Sequence, residues 1–184
     1  MDDIFHGAFD PPAPTVLGRR LKPLCLAHVV TLGQADSIFL KQDPDRKPTV
    51  VDVAVAAWFC SKPGFLPGEE IPEPDMERMI RWASIAGRRY KPEVEQQKLI
   101  DYLKQSLRFP RFWAPENGGR PTVAPWEFTV VSALVEAGIT RREAWTMPVA
   151  EALAHYAATM ERKGLELVSD WEKRQIEKLE KKTA

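Results

Sequence analysis

Cys25 and His28 stand three residues apart in the run LCLAHVV, a spacing at which a thiol and a base could share a helical face. A thiol attacks only when a neighbouring base takes its proton, so this pair is the first candidate for covalent chemistry. Its setting argues against that use. Inside so apolar a helix both side chains are shut away from substrate. The favoured reading is a packed histidine satisfied by a backbone carbonyl, beside a thiol that packs as a small hydrophobe.

Other chemistries find less. His6, His28 and His155 are scattered, with neither an H-x-x-x-H nor an H-E-x-x-H pair that could grip a metal from one helical face. His155 reads as a partly exposed structural histidine. Cys25 and Cys60 lack the close paired spacing of a zinc or redox motif and read as two reduced, buried thiols. Phosphate-cradling glycine loops are absent, and Gly118–Gly119 has no strand before it. The carboxylates Glu69 and Glu70 lie among prolines, without the apolar setting that raises a pKa for acid catalysis. The expectation is a protein that is not an enzyme and uses no cofactor.

Bulk properties set the class. A chain of 184 residues, 44% hydrophobic and 28% charged, can bury a core without disulfides or metals. Its 26 basic and 26 acidic residues cancel, which disfavours a protein that coats nucleic acid. MDDIFHGAFDPPAP has neither a basic n-region nor an apolar h-region, so no secretion signal is expected. No window approaches the ~20 apolar residues of a membrane span. The expectation is a cytoplasmic protein with no membrane partner.

The elements that position these residues read as mostly α-helical. Residues 1–14, with three prolines, are expected to be a flexible N-terminal arm. Residues 15–168 form the helical domain, and residues 169–184 a charged C-terminal helix. TVLGRRL suggests a short strand or a turn around Gly18. Pro23 then opens an apolar helix over 24–32. Thr49 and Asp52 have capping-box spacing ahead of a helix over 50–59, which carries almost no polar residue and should be central. Helices follow over 75–86, with Met76, Met79, Ile80 and Ala83 on one face, and over 92–107, with Val94, Leu99, Tyr102, Leu103 and Leu107 apolar. Residues 108–125 read as an irregular loop. Beyond it come helices over 126–137, a short turn capped by Thr140 and Glu143, and 149–163 with a Val149–Leu153–Tyr156–Met160 stripe. Ser169 and Glu172 would cap the last helix. The fold expected is a bundle of about eight helices, with one or two short strands at most.

Two surface readings compete at the C-terminal third. SALVEAGITRREAW outlines a helix-turn-helix with Arg141 and Arg142 at the start of the second helix. A small DNA-binding regulator using the corner at 126–147 is therefore the alternative function. Against it, the second helix meets Pro148 after about two turns and offers Trp145 and Met147 rather than base-reading Asn or Gln. The other reading is protein contact, since tryptophans anchor interfaces. The residues singled out are Trp113, Trp126 and Trp145, with Trp171, Ile176 and Leu179 of the terminal helix.

The stretch APWEFTVVSALVEAGITRREAWTMPVAEALAHYAATMERKG resembles tail assembly chaperone-type proteins of phage and prophage tail gene clusters. LGRRLKPLCLAHVVTLGQADSIF is similar to the opening of small proteins from the same clusters. The resemblance rests on Thr140, the Glu143–Ala144–Trp145 triplet, the Met147–Pro148 step, and Glu151, Ala152 and Tyr156 of an Ala-rich helix. It covers about a third of the chain and is structural rather than catalytic. It implies a helical, non-enzymatic protein that binds the tape-measure protein or the tail tube in the host cytoplasm during virion assembly. Homo-oligomerisation is compatible with such a role. The long central loop and the charged C-terminal helix depart from the shorter chaperones, and leave a connector or tail-completion role open.

Overall fold

A computed structural model of the chain describes residues 12–41, 46–107, 112–113, 124–164 and 168–169. Among them it forms eight helices and two short antiparallel strand pairs. The architecture is mostly helical.

The chain begins with a hairpin, β1 (Thr15–Val16) against β2 (Arg19–Arg20), with Val16 opposite Arg19. Its two-residue turn needs positive φ at both central positions, Leu17 at 50° and Gly18 at 76°, a geometry whose twist suits a tight hairpin. Leucine does not adopt it freely, so something must hold it. Leu17 is buried, and its N–H donates to the carboxylate of Glu95. Glu95 is itself only 4% exposed and takes a second hydrogen bond from Lys98 at 2.6 Å. At Gly18 a Cβ would collide with the Tyr90 hydroxyl, so glycine is required twice over there.

α1 (Leu26–Gln34) and the short α2 (Ile38–Lys41) lead to α3 (Val50–Cys60). Thr49 and Asp52 form the expected capping box: the Thr49 hydroxyl accepts from the Asp52 amide at 3.3 Å, and its own amide donates to the Asp52 carboxylate at 2.7 Å. Seven of the eleven residues of α3 are buried, and α1, α4 (Glu73–Arg89) and α5 (Pro92–Ser106) pack around it. The central place expected for this helix is the observed one.

Two helix faces differ from expectation. On α4 the buried positions are Met79 and Ala86, with Trp82, Ala83 and Tyr90 packed against the core, while Met76 and Ile80 face water. The two large aromatics set the helix's rotation, and they draw the contact face away from Ile80. On α5, Leu99, Tyr102 and Leu103 are buried as expected, but Val94 and Leu107 at its ends are exposed and Glu95 lies inside. The unpaired amide of the strained turn explains that inward carboxylate, since an unmet buried donor costs about 1–3 kcal/mol.

β3 (Phe112–Trp113) pairs with β4 (Val168–Ser169). Two residues of the expected loop are thus strand, and Ser169 ends a strand where it was read only as a helix cap. Of the expected arm at 1–14 and charged helix at 169–184, residues 1–11 and 170–184 lie outside the described residues. α6 (Trp126–Glu136), α7 (Arg141–Thr146) and α8 (Val149–Arg162) complete the fold, with α7 and α8 both packed on α6. The expected α8 stripe holds at Val149, but Leu153 and Tyr156 are only half-buried, and Ala152 and Ala157 reach deeper. Small side chains let the helix approach its neighbour closely. The Val149 amide donates to the Leu24 carbonyl at 2.8 Å, tying this C-terminal unit to the lead-in of α1.

Gly18→Ala should lower stability by about 1–2 kcal/mol from left-handed strain alone, with the Tyr90 clash added. A urea midpoint measures the loss. Tyr90→Phe, which removes the hydroxyl, should recover part of it.

Candidate protein-interaction surface

The corner singled out by sequence forms as a capped turn. Gly138, at φ 93°, ends α6, and Thr140 then caps α7 by accepting from the Glu143 amide at 3.3 Å. The Thr140 hydroxyl and amide hold the Glu143 carboxyl below its ordinary 4.5. Arg141 is exposed. Arg142 points one guanidinium nitrogen to within 3.6 Å of the Glu69 carboxylate, so an acidic loop already faces this basic pair. α7 is six residues long, shorter than a helix that must lie along a DNA groove.

Trp145 corrects the sequence reading. It is 1% exposed, with the Phe128 ring edge-on at 5.1 Å, and so belongs to the core rather than to a contact surface. A large apolar side chain on a two-turn helix has one way to fix that helix to the domain, and Trp145 supplies it. Trp126, the first residue of α6, is 43% exposed. Trp113 lies in β3, and Trp171, Ile176 and Leu179 fall outside the described residues.

Between α6 and α8 opens a cleft of about 330 Å³, lined mainly by Phe128, Thr129, Ser132, Ala133 and Met160. An ion pair between Lys163 and Glu136 bridges the two helices at one end. Apolar walls with a polar edge can receive an apolar side chain from another protein.

The Cys25–His28 pair is structural. The Cys25 amide donates to His28 Nδ1 at 3.3 Å, so Nε2 carries the ring proton and donates to the Lys62 carbonyl at 2.9 Å. Both nitrogens are occupied, one capping α1 and the other holding the loop after α3. Burial pushes the His28 pKa below its ordinary 6.5, although the Lys62 carbonyl favours the charged form. Burial also pushes the Cys25 thiol up to about 11 and the Cys60 thiol up to about 12. Both thiols are free and buried, as the sequence indicated. Among the described residues no group of three His, Cys, Asp or Glu side chains is placed to hold a metal.

One cluster went unforeseen. The Arg19 guanidinium carbon lies 3.9 Å from the Trp58 ring centroid and 4.5 Å from that of Trp82, and Lys62 Nζ lies 5.0 Å from Trp58. Burial lowers the Arg19 pKa. Among the described residues its guanidinium makes one hydrogen bond, a long one of 3.5 Å to the Ser61 hydroxyl. Two cations at the C-terminus of α3 suit its dipole, and the stacked arginine fastens the hairpin to α3 and α4. The partners lie up to 63 positions apart, beyond the reach of any local pattern.

No protein-family model, curated protein or solved structure matches the chain.

Arg19→Ala should cost about 1–2 kcal/mol through lost cation–π contact, and Arg19→Lys less than that; thermal unfolding of the two variants distinguishes them. Acid should act in two windows. Because the folded-state value of His28 lies below 6.5, the unfolded chain binds its proton more tightly. Stability is then full above pH 6.5 and declines as pH falls below it. At Asp52 burial pushes the carboxyl up, but the Thr49 hydroxyl and amide and Arg46 outweigh it, so Asp52 joins Glu143 in being held low. Depressed carboxylates lose their contribution only at lower pH, below their ordinary 3.8 and 4.5. His28→Gln should therefore flatten the decline of the urea midpoint that begins as pH falls below 6.5, and leave the contribution of the two depressed carboxylates unchanged.

Proposed function

We propose that the chain is a non-enzymatic tail assembly protein of the chaperone type, binding a tape-measure or tail-tube subunit through the surface that α6 and α8 present. The observation that carries this reading is the split between the two tryptophans of the C-terminal unit. Trp145, within the Glu143–Ala144–Trp145 triplet, is consumed by the core, whereas Trp126 stays exposed at the start of the helix that walls the cleft. An assembly chaperone must cover apolar surface on a subunit until that subunit meets its own partner. An open apolar cleft on a rigid pair of helices suits this use, because little ordering entropy is lost when it binds. The residues that carry the resemblance to tail assembly chaperones, from Thr140 to Tyr156, form one continuous piece of this unit.

The occupant is a helical segment of the tail subunit, with one large apolar side chain seated between Phe128 and Met160 and its flank against Trp126. Such a role is exercised in the host cytoplasm, where tail proteins are made. The DNA-binding alternative gains nothing from the geometry, since Arg142 already faces Glu69 and α7 is short.

Co-expression with the tail proteins encoded by neighbouring genes tests the proposal. The tagged chain should co-purify with one of them and stay bound through a modest rise in salt. Trp126→Ser should lower recovery of the complex by about tenfold or more, as for an interface anchor, without moving the melting temperature. Binding to no tail component, or neighbouring genes that encode none, would overturn it.

A further inference from the structure

The outward face of α4 combines charge and apolar surface in a way that neither the bundle nor the α6–α8 cleft uses. Residues 78–91, RMIRWASIAGRRYK, hold five basic side chains and no acidic one, in a chain whose total charge is zero. Met79, Trp82, Ala83 and Ala86 turn inward. At 100° per residue Arg78, Arg81, Ile85, Arg88 and Arg89 form a row that runs from the flank beside Trp82 to the opposite side, where Arg81 and Arg88 stand next to Glu77. The first two arginines are 69% and 75% exposed, and Ile85 is 64% exposed in their midst.

The fold accounts for part of this row. Arg78 and Arg81 reach Asp75 and Glu77 at 3.6 and 3.4 Å, and such exposed pairs contribute little. Arg88 and Arg89 suit the C-terminal end of the helix dipole. No carboxylate of the described residues lies within ion-pair distance of either. Nothing in the fold accounts for Ile85, a β-branched side chain that gains neither helix propensity nor burial where it stands.

We propose that this face of α4 docks an acidic, amphipathic helical segment of a partner protein, its carboxylates over the arginines and an apolar side chain against Ile85. Charge complementarity selects the sign of the partner. The isoleucine selects its class. Nucleic acid would bring phosphates and leave Ile85 without use. A membrane surface needs a broad apolar stripe, whereas the other exposed isoleucine, Ile80, sits roughly 140° around the helix.

The test is fluorescence anisotropy of the full chain with a labelled synthetic helix that carries glutamates flanking a Leu and Phe stripe. Its Glu→Gln counterpart, a short duplex DNA, and vesicles of mixed anionic and zwitterionic lipid serve as competing probes. The acidic peptide should bind, more weakly as salt rises, and the Glu→Gln peptide should not. The double variants Arg81→Glu/Arg88→Glu and Arg81→Gln/Arg88→Gln should each weaken binding, the first by roughly tenfold or more. Ile85→Ser should weaken it about threefold, and Trp126→Ser should leave it unchanged, which separates this surface from the α6–α8 cleft. All these side chains point to solvent, so circular dichroism should not change. Absence of peptide binding, tighter binding of the DNA or the vesicles, or indifference to Ile85→Ser would each overturn the proposal.

Discussion

α3 carries a single charged side chain, Asp52, in eleven residues, and its last eight positions offer water almost nothing polar. A helix of that composition is stable only when neighbours cover it on every side. That requirement organises the molecule. α1, α4 and α5 pack around α3, and the hairpin is fastened to the same cluster. Burying each large apolar side chain yields about 1.5–3 kcal/mol, so the coverage of α3 outweighs any local preference among the elements that supply it.

Covering an apolar helix from several directions brings backbone into the interior, and the structure answers with a few polar groups at fixed places. Glu95 takes the N–H of a leucine held in a left-handed conformation. His28 joins the cap of α1 to the loop after α3. The Tyr102 hydroxyl donates to the Lys22 carbonyl at 2.8 Å. Each is a reactive residue type put to structural use, and each lies where an element must end or turn under cover. The same economy explains Trp145, whose ring anchors a helix too short to hold itself in place.

What stays on the surface is correspondingly informative. The C-terminal unit shows an exposed Trp126 at the start of the helix that walls an open cleft, and α4 shows a row of arginines around Ile85. The two differ in character. The cleft is concave and apolar, suited to a side chain inserted from a partner, while the α4 face is convex and cationic, suited to a charged helix laid along it. On the two proposals together, the surfaces would hold two segments of one long partner, or two partners.

Helix composition and punctuation were legible residue by residue: the Thr49–Asp52 and Thr140–Glu143 boxes, the breaks at Gly138 and Pro148, and the apolar run that became α3. These depend on spacing within one turn, which the chain itself specifies. The structural reading of His28 and the burial of both cysteines followed from their apolar neighbours in the same way. Helix rotation was not legible. Whether Ile80 or Trp82 faces inward depends on which helix lies alongside, and Glu95 is buried only because a turn 78 positions earlier leaves an amide unmet. The same holds for the candidate surfaces, since local sequence marked Trp126 and Trp145 alike as contacts. Sequence by itself determined which segments are helices and where they stop, because caps and periodicity are short-range. The tertiary structure alone decided which tryptophan is core, which carboxylate is inside and which arginines meet an indole, because those outcomes belong to pairs of elements that no single stretch of chain contains.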